Sequence, residues 1–111
     1  MTSFLISSDI YRNTHYGGKH PLNIPRVGAT LDLIKAMSWY DEAKFITAPI
    51  AKPSLLKKFH SNDYVNVLIE ADEKQEIDKN QSYKYNLGTP SNPIFKGMYK
   101  RPATSVGGSV V

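Results

Sequence analysis

Three histidines and one arginine are the side chains of this sequence whose types best suit chemistry: His15, His20, His60 and Arg26. An imidazole can act as a base or bind a metal near neutral pH. Zinc sites combine several histidine, acid or thiolate ligands at close spacing, and no acid or second histidine has that spacing around His20. A zinc-ligand role for His20 is therefore not expected. The sequence has no cysteine, which excludes disulfides, thiolate metal sites and cysteine nucleophiles within it.

The local sequence gives the histidines different interpretations. His20 follows a Gly-Gly-Lys tip and precedes Pro21, so it either lines a binding site or is a loop histidine bonded to the backbone; both remain open. His60 comes directly before the helix-start pattern of residues 61–63 and is predicted to be a structural residue at a helix junction. His15 is assigned no role.

The net charge of +4 raises the question of a nucleic-acid partner. The lysines are scattered among acids, which favours a solvated surface of mixed charge over a nucleic-acid groove. The seven tyrosines do not alternate regularly with basic residues, so they are interpreted as packing residues rather than base-stacking platforms. No glycine-rich phosphate-binding pattern is present. A small basic module that binds nucleic acid or protein remains the alternative function.

Nothing in the sequence predicts a membrane or secretory destination. No apolar run approaches the roughly 20 residues of a membrane span. The N-terminus lacks the basic start and long apolar core of a signal peptide. The hydrophobic fraction of 41% and charged fraction of 22% are typical of a soluble globular domain. We therefore expect one domain, located in the cytoplasm.

The first half of the chain predicts two short strands with a helix between them. Residues 3–8 contain the apolar run Phe4-Leu5-Ile6, which favours a buried strand, and residues 44–49 form a second such run. Residues 11–25 are rich in glycine, proline and asparagine and are predicted to form a long irregular loop. Strand, helix and strand in this order indicate a right-handed βαβ unit with a parallel pair. The predicted class is α/β, and a parallel sheet needs helices on both faces.

The helix between the strands has clear start signals. Pro25 suits its first turn, and Asn23 is a plausible cap. Apolar residues then recur at helical spacing, and the helix is predicted to end near Trp39-Tyr40. Arg26 falls in the first turn, where a cation mildly opposes the helix dipole, so another reason for this arginine is expected.

The second half predicts further helices and loops. Pro53 opens a short helix that runs to His60, and a second helix begins at Ser61 or Asn62. Residues 70–82 are strongly polar and are predicted to be either the frayed end of that helix or a surface loop. Beyond them, apolar and polar residues alternate weakly at 83–87. The sequence then predicts a loop rich in glycine and proline at 88–93, a helical turn at 94–99 and a helix of small residues from Ala103.

Three stretches, in this order, resemble the start of the histone deacetylase superfamily, which includes acetoin-utilization proteins and acetylpolyamine amidohydrolases. They are residues 16–26 (YGGKHPLNIPR), residues 59–65 (FHSNDYV), and residues 87–93 (LGTPSNP) followed by Gly107-Gly108-Ser109. The resemblance covers essentially the whole chain. It implies the three-layer α/β/α arginase/deacetylase fold with a parallel sheet, of which residues 1–111 would be the N-terminal portion of a single deacetylase domain.

The resemblance also implies a zinc-dependent deacetylase that hydrolyses the amide of acetyl-lysine or of another acetylated amine. The family holds its zinc with two aspartates and one histidine and acts on the bound water with two adjacent histidines. These groups follow the Gly-Gly motif in the family, so they are expected beyond Val111, and no catalytic or metal-binding residue is expected in this chain. The end on Val110-Val111 is expected to be a cut within the last helix.

Substrate-binding residues are implied one by one. Arg26 corresponds to an arginine of an internal channel below the active site; the alternative is a surface salt bridge. His20 and Pro21 correspond to the wall of the substrate tunnel. Ser91 and Asn92 lie in the matching rim loop, where histone-directed members carry an aspartate that binds the substrate backbone. The missing acid favours a bacterial-type or non-histone substrate.

Overall fold

The computed structural model describes residues 3–13, 20, 25–39 and 41–111. Within those ranges no helix is long and apolar enough to cross a membrane. The described residues form two strands and six helices, with a 3-10 turn at Glu42–Lys44. They run in the order β1 (Leu5–Ser7), α1 (Ile10–Asn13), α2 (Arg26–Ala36), β2 (Phe45–Thr47), α3 (Pro53–Leu56), α4 (Asn62–Lys74), α5 (Lys79–Tyr85) and α6 (Lys100–Val110).

The two predicted strands pair in parallel, which confirms the βαβ prediction. Leu5 is opposite Phe45 and Ser7 is opposite Thr47, and the amide of Ala48 extends the pairing by donating to the Ser7 carbonyl oxygen at 2.7 Å. Parallel neighbours need a crossover connection, and α2 lies in that crossover. The fold is the α/β class that the sequence predicts.

The helix α2 is shorter than predicted. Pro25 lies just before it, not within its first turn, and makes no side-chain cap. The helix ends at Ala36 because Ser38 adopts a left-handed conformation with φ 55°, while the amide of Trp39 donates to the Ile34 carbonyl oxygen at 3.1 Å. This geometry closes a helix by satisfying its last carbonyls. The predicted cap Asn23 lies outside the described residues.

The predicted loop at residues 11–25 is partly wrong, because its start belongs to the short helix α1. Tertiary contacts stabilise this single turn. Arg12 donates to both carboxylate oxygens of Asp32 on α2, at 3.2 and 2.7 Å. Tyr11 shares a 2.7 Å hydrogen bond with Ser105 on α6, and the Arg101 guanidinium lies 5.2 Å from the centre of the Tyr11 ring. A turn held by distant partners leaves little local sequence signal.

The exposed ion pair between Arg12 and Asp32 shifts the pKa of both groups. The hydrogen bond to Asp32 raises the pKa of Arg12, and the hydrogen bond from Arg12 lowers the pKa of the Asp32 carboxyl. A carboxyl whose pKa is lowered on folding stabilises the fold above its unfolded pKa. This contribution is therefore present at neutral pH and lost as the pH falls through the lowered pKa of Asp32.

The polar stretch at 70–82 is only partly the helix end or surface loop that the sequence predicts, because residues 79–82 begin a further helix. Helix α4 begins after Ser61, whose hydroxyl accepts from the Tyr64 amide at 3.2 Å as its start signal predicted, and it continues to Lys74. Asp78 then caps α5 by accepting from the Gln81 amide at 2.9 Å. Residues 83–85 belong to helix α5, so the weak alternation of apolar and polar residues at 83–87 does not reflect an extended backbone there.

The last helix packs closely on the segment after β2 through its small residues. It begins at Lys100 rather than at Ala103. The amide of Ala51 donates to the Ala103 carbonyl oxygen at 3.0 Å, and Gly107 lies against the backbone of Pro49 and Ala51. The buried core consists mostly of small or medium side chains: Ala48, Ala51, Val65, Val67, Ala71, Leu87, Met98 and Ala103.

Several large apolar side chains remain exposed on this unit. Trp39 is 65% exposed, Leu33 is 55% exposed and Phe59 is 90% exposed. The two-stranded sheet also leaves edge groups without a strand partner among the described residues, and such edges favour association.

We therefore expect the 111-residue chain, when produced alone, to be poorly folded and inactive. Uncovered apolar surface and open strand edges favour loosely packed or aggregated states. Differential scanning calorimetry and near-ultraviolet circular dichroism should show no sharp cooperative transition. A sharp transition at a concentration-independent temperature would contradict this expectation.

Candidate functional site

Two of the predicted substrate-binding residues meet in the structure. The Nε2 atom of His20 lies 3.0 Å from the backbone carbonyl oxygen of Ser91, 71 positions along the chain. A carbonyl oxygen only accepts hydrogen bonds, so Nε2 is the donor and carries a proton in this contact. The contact joins the segment at His20 to the second loop rich in glycine and proline, and its part in substrate binding stays a prediction.

The second loop, which we call the rim loop (residues 86–93), is internally hydrogen-bonded. The amides of Gly88 and Thr89 donate to the Asn92 carbonyl oxygen at 2.8 and 3.2 Å. The Asn92 amide donates to the Thr89 hydroxyl at 3.1 Å, and the Asn92 side-chain nitrogen donates to the Asn86 carbonyl oxygen at 3.1 Å. The NH₂ group of Asn92 is thus used to shape the loop. The exposed side chain of Ser91 is the better placed of the two to meet a ligand.

A groove of about 310 Å³ lies beside the rim loop, and both Ser91 and Asn92 contribute to its lining. Mostly apolar groups from α3, α4 and α6 form its walls. His60 also lines it and packs edge-on against Phe59, with ring centres 4.9 Å apart. The sequence did not predict this groove, because its lining comes from separate segments. The main apolar contributors are Leu56, Leu68, Leu87, Phe95, Met98 and Val106.

Tyr99 brings an unsatisfied polar group into the groove wall. Its hydroxyl is buried and has no hydrogen-bond partner among the described residues. Burial raises the pKa of the Tyr99 hydroxyl, because low-polarity surroundings disfavour the charged phenolate. A buried hydroxyl without a partner costs about 1–3 kcal/mol.

Replacing Tyr99 with phenylalanine in the complete protein is therefore expected to raise its melting temperature, corresponding to about 1 kcal/mol in the free energy of unfolding. The substitution removes the unsatisfied hydroxyl and keeps the ring. Thermal unfolding followed by circular dichroism measures the effect, with Tyr83→Phe as a control because that side chain is 93% exposed. A lower melting temperature for Tyr99→Phe alone would show that the hydroxyl has a partner after all.

The structure says less about the other two predicted substrate-binding residues, Arg26 and Pro21. Arg26 is the first residue of α2, and its side chain is exposed. Its carbonyl oxygen accepts from the Thr30 hydroxyl at 2.7 Å, and no ion pair joins Arg26 to another described residue. Its proposed place in a channel stays a prediction. Pro21 lies outside the described residues.

Asp72 is an important residue that sequence reasoning missed. It lies in the polar stretch assigned above to a frayed end or loop, yet it is only 9% exposed. Its carboxylate accepts backbone N–H groups from the turn before α6. The one available signal was its place on the helix face shared with Val65 and Leu68, at spacings of three and four residues.

The described residues do not form a metal centre. Among them, no group of three or more histidine, cysteine, aspartate or glutamate side chains could hold a metal ion. Asp72, the buried carboxylate, is already bonded to backbone amides. What these residues offer is an apolar groove, a shaped loop and hydrogen-bonding groups.

These features define an α/β unit with a parallel strand pair and an apolar groove beside a hydrogen-bonded loop. The family model of the histone deacetylase domain matches residues 20–111. The chain therefore belongs to the histone deacetylase family.

Individual relatives are similar over nearly the whole chain. The acetoin utilization protein AcuC of Bacillus subtilis is 30% identical over 97% of this chain, and histone deacetylase HDAC1 of Drosophila melanogaster is 33% identical over 96%. Crystal structures of an HDAC homologue, one from Aquifex aeolicus and one complexed with SAHA, match with a TM-score of 0.93 and 34% identity over 99% of this chain.

The chain spans only a part of each of these relatives. It covers 28% of the Bacillus subtilis protein, 20% of the Drosophila melanogaster protein and 30% of the crystallised chain.

Proposed function

We propose that residues 1–111 are the N-terminal portion of a single deacetylase domain. The complete protein would hydrolyse the amide of acetyl-lysine or of another acetylated amine. The observation that carries the proposal is the contact between His20 and Ser91. It joins the two predicted substrate segments beside a groove, in a fold that superposes on an HDAC homologue with a TM-score of 0.93.

The proposed chemistry needs a zinc ion, whose ligands are expected C-terminal to Val111. When bound, zinc polarises a carbonyl and makes water a usable nucleophile near pH 7. The residues of this chain would bind and orient the substrate. The apolar walls of the groove exclude water, and the rim loop orients a substrate long enough to extend over it through the Ser91 hydroxyl. Arg26 and Pro21 are included in the proposed binding region on the resemblance alone.

The rim loop favours a neutral or small acetylated amine over a histone tail. Residues 89–92 contain no acid, so no charge-assisted hydrogen bond to a peptide amide is available from that stretch. One N–H of the Asn92 side-chain amide is used by the Asn86 carbonyl oxygen, and the exposed Ser91 hydroxyl is the polar group that we propose contacts a peptide substrate. We therefore propose weak dependence of activity on the peptide sequence around an acetyl-lysine.

The decisive experiment begins with the coding DNA beyond the codon for Val111. We expect an open frame that encodes two adjacent histidines and, later, an Asp-x-His motif. A stop codon at that point, or a frame without these motifs, would overturn the proposal. The product of the complete frame, called here the full-length protein, is then assayed for acetate release from an acetyl-lysine peptide and from a small acetylated amine.

Removal of the metal is expected to reduce the activity of the full-length protein at least about a hundredfold, because the metal generates the nucleophile. Dialysis against a chelator followed by assay measures the loss, and added zinc should restore the rate. Dialysis without chelator is the control. Full activity after verified metal removal would contradict a zinc mechanism.

We also propose a cytoplasmic location and no nucleic-acid partner. Acidic side chains lie among the exposed lysines, as in the 2.6 Å pair between Lys74 and Glu70. Such mixed charge does not favour phosphate binding. A shift of labelled DNA or RNA by the full-length protein that weakens steeply with salt would instead support the alternative of a basic binding module.

A further inference from the structure

We propose that Asp72 is a positioning residue for substrate binding, because its carboxylate anchors the turn that joins the rim loop to α6. The inference rests on the proposed deacetylase function and goes beyond it by assigning a role to a residue far from any predicted motif. Asp72 does not touch the substrate in this proposal. It acts through the segment at 97–100.

The burial of Asp72 requires a specific reason. Its side chain lies in the last turns of α4 and is 9% exposed. Ion pairs among the described residues join Arg12 to Asp9 and Asp32, and Lys74 to Glu70, so none of them neutralises Asp72. A buried carboxylate is costly unless hydrogen bonds compensate it.

Backbone N–H groups supply that compensation. One carboxylate oxygen, Oδ1, accepts from the Gly97 amide at 2.8 Å. The other, Oδ2, accepts from the amides of Tyr99 and Lys100 at 3.1 and 3.3 Å. The first N–H groups of a helix have no partner within it, and they carry a partial positive charge. Tyr99, at the N-cap of α6, makes no side-chain cap, so α4 provides the cap from 27 positions away.

The turn anchored by Asp72 forms part of the groove wall. Met98 and Tyr99 lie within this turn, and both line the groove together with Ser91 and Asn92. Gly97 has φ 95°, a conformation that glycine adopts readily and other residues avoid. The turn is therefore tightly specified, and the carboxylate holds it at both its ends.

The rim loop is thus fixed from both sides. On its N-terminal side, the Ser82 hydroxyl donates to the Leu87 carbonyl oxygen, and Asn86 adopts the left-handed conformation that ends α5. On its C-terminal side, Asp72 anchors the backbone at residues 97–100. Loss of this anchor should let residues 93–99 shift, and with them the position of Ser91 relative to a bound substrate.

The test uses Asp72→Asn in the full-length protein with two substrates of different reach. One is an acetyl-lysine peptide with residues on both sides, which extends over the rim. The other is a small acetylated amine that is too short to reach it. We expect the KM for the peptide to rise about tenfold, since small displacements of positioning groups have large effects. The KM for the small amine and both kcat values should change less than about twofold.

The controls separate positioning from stability. Glu73→Gln removes a neighbouring exposed carboxylate of the same helix turn and should leave both KM values unchanged. Each variant is assayed well below its own melting temperature. If Asp72→Asn does not fold, Asp72→Ser, which keeps one short acceptor, takes its place.

Each outcome decides one of the two proposals. Equal KM changes for both substrates would mean that the effect is not specific to the rim, and a fall in apparent kcat alone for both would mean that Asp72 only maintains the folded fraction. In either case the positioning role would be wrong while the deacetylase function stands. If the wild-type full-length protein releases acetate from neither substrate, the proposed function fails, and the positioning role fails with it.

Discussion

Replacing Gly107 with alanine is expected to destabilise the full-length protein by about 3 kcal/mol or more. A Cβ atom at this position would overlap the Pro49 carbonyl oxygen and lie 2.8 Å from the Pro49 carbonyl carbon and 3.1 Å from the Ala51 amide nitrogen. These are backbone atoms, so no side chain can rotate out of the way. The Ala51 amide is also bonded to the Ala103 carbonyl oxygen, which fixes the distance between the two segments.

The adjacent glycine offers a matched control. A Cβ atom on Gly108 would meet the Ala48 Cβ at 3.2 Å and the Ile6 Cγ2 at 3.4 Å. Both substitutions gain about 1 kcal/mol in helix propensity, but only Gly107→Ala meets rigid backbone. We expect Gly108→Ala to stay within about 1 kcal/mol of wild type. Urea unfolding at equilibrium measures both, and equal stabilities for the two variants would refute the close approach of α6 to the segment after β2.

Replacing Asp72 with alanine is expected to lower the free energy of unfolding of the full-length protein by about 3 kcal/mol. The substitution removes both acceptor oxygens and leaves the amides of Gly97, Tyr99 and Lys100 without their partner. Each unsatisfied buried donor costs about 1–3 kcal/mol, and water entering the space would offset part of the total. Loss of the cap also exposes the N-terminal dipole of α6.

The matched variant for this prediction is Glu73→Ala, which removes an exposed acid from the same helix. We expect it to change the free energy of unfolding by less than about 0.5 kcal/mol. Amide hydrogen exchange locates the effect: faster exchange in Asp72→Ala should be concentrated at residues 97–100 and in the first turn of α6. Similar stabilities for the Asp72 and Glu73 variants would be incompatible with the capping role.

The sequence predicted best where local signals and tertiary demands agreed. Leu5–Ser7 and Phe45–Thr47 were predictable as strands because short apolar runs beside a periodic helix favour parallel strands. The predicted burial of the first strand was wrong, because Ile6 is 37% exposed. Ser61 was predictable as a cap because its hydroxyl bonds an amide only three residues away. Ordered motifs, rather than any single residue, indicated the family that matches residues 20–111.

The sequence misled where a residue's partner lies far along the chain. Helix α1 was assigned to a loop because its stabilising partners, Asp32 and Ser105, lie on other helices. The polarity of residues 70–82 concealed a long helix end, a second helix and a buried acid. Local composition reports the average exposure of a segment and cannot report one side chain that turns inward.

The sequence by itself determined the class of this protein, its two parallel strands and the presence of helices α2, α4 and α6, because periodicity, caps and motif order depend on near neighbours. Only the tertiary structure decided that His20 meets the Ser91 backbone, that Gly107 lies against Pro49 and that Asp72 caps α6. These contacts join positions far apart in the chain. Their geometry depends on how helices pack against one another and on where each chain segment closes, which no local pattern specifies.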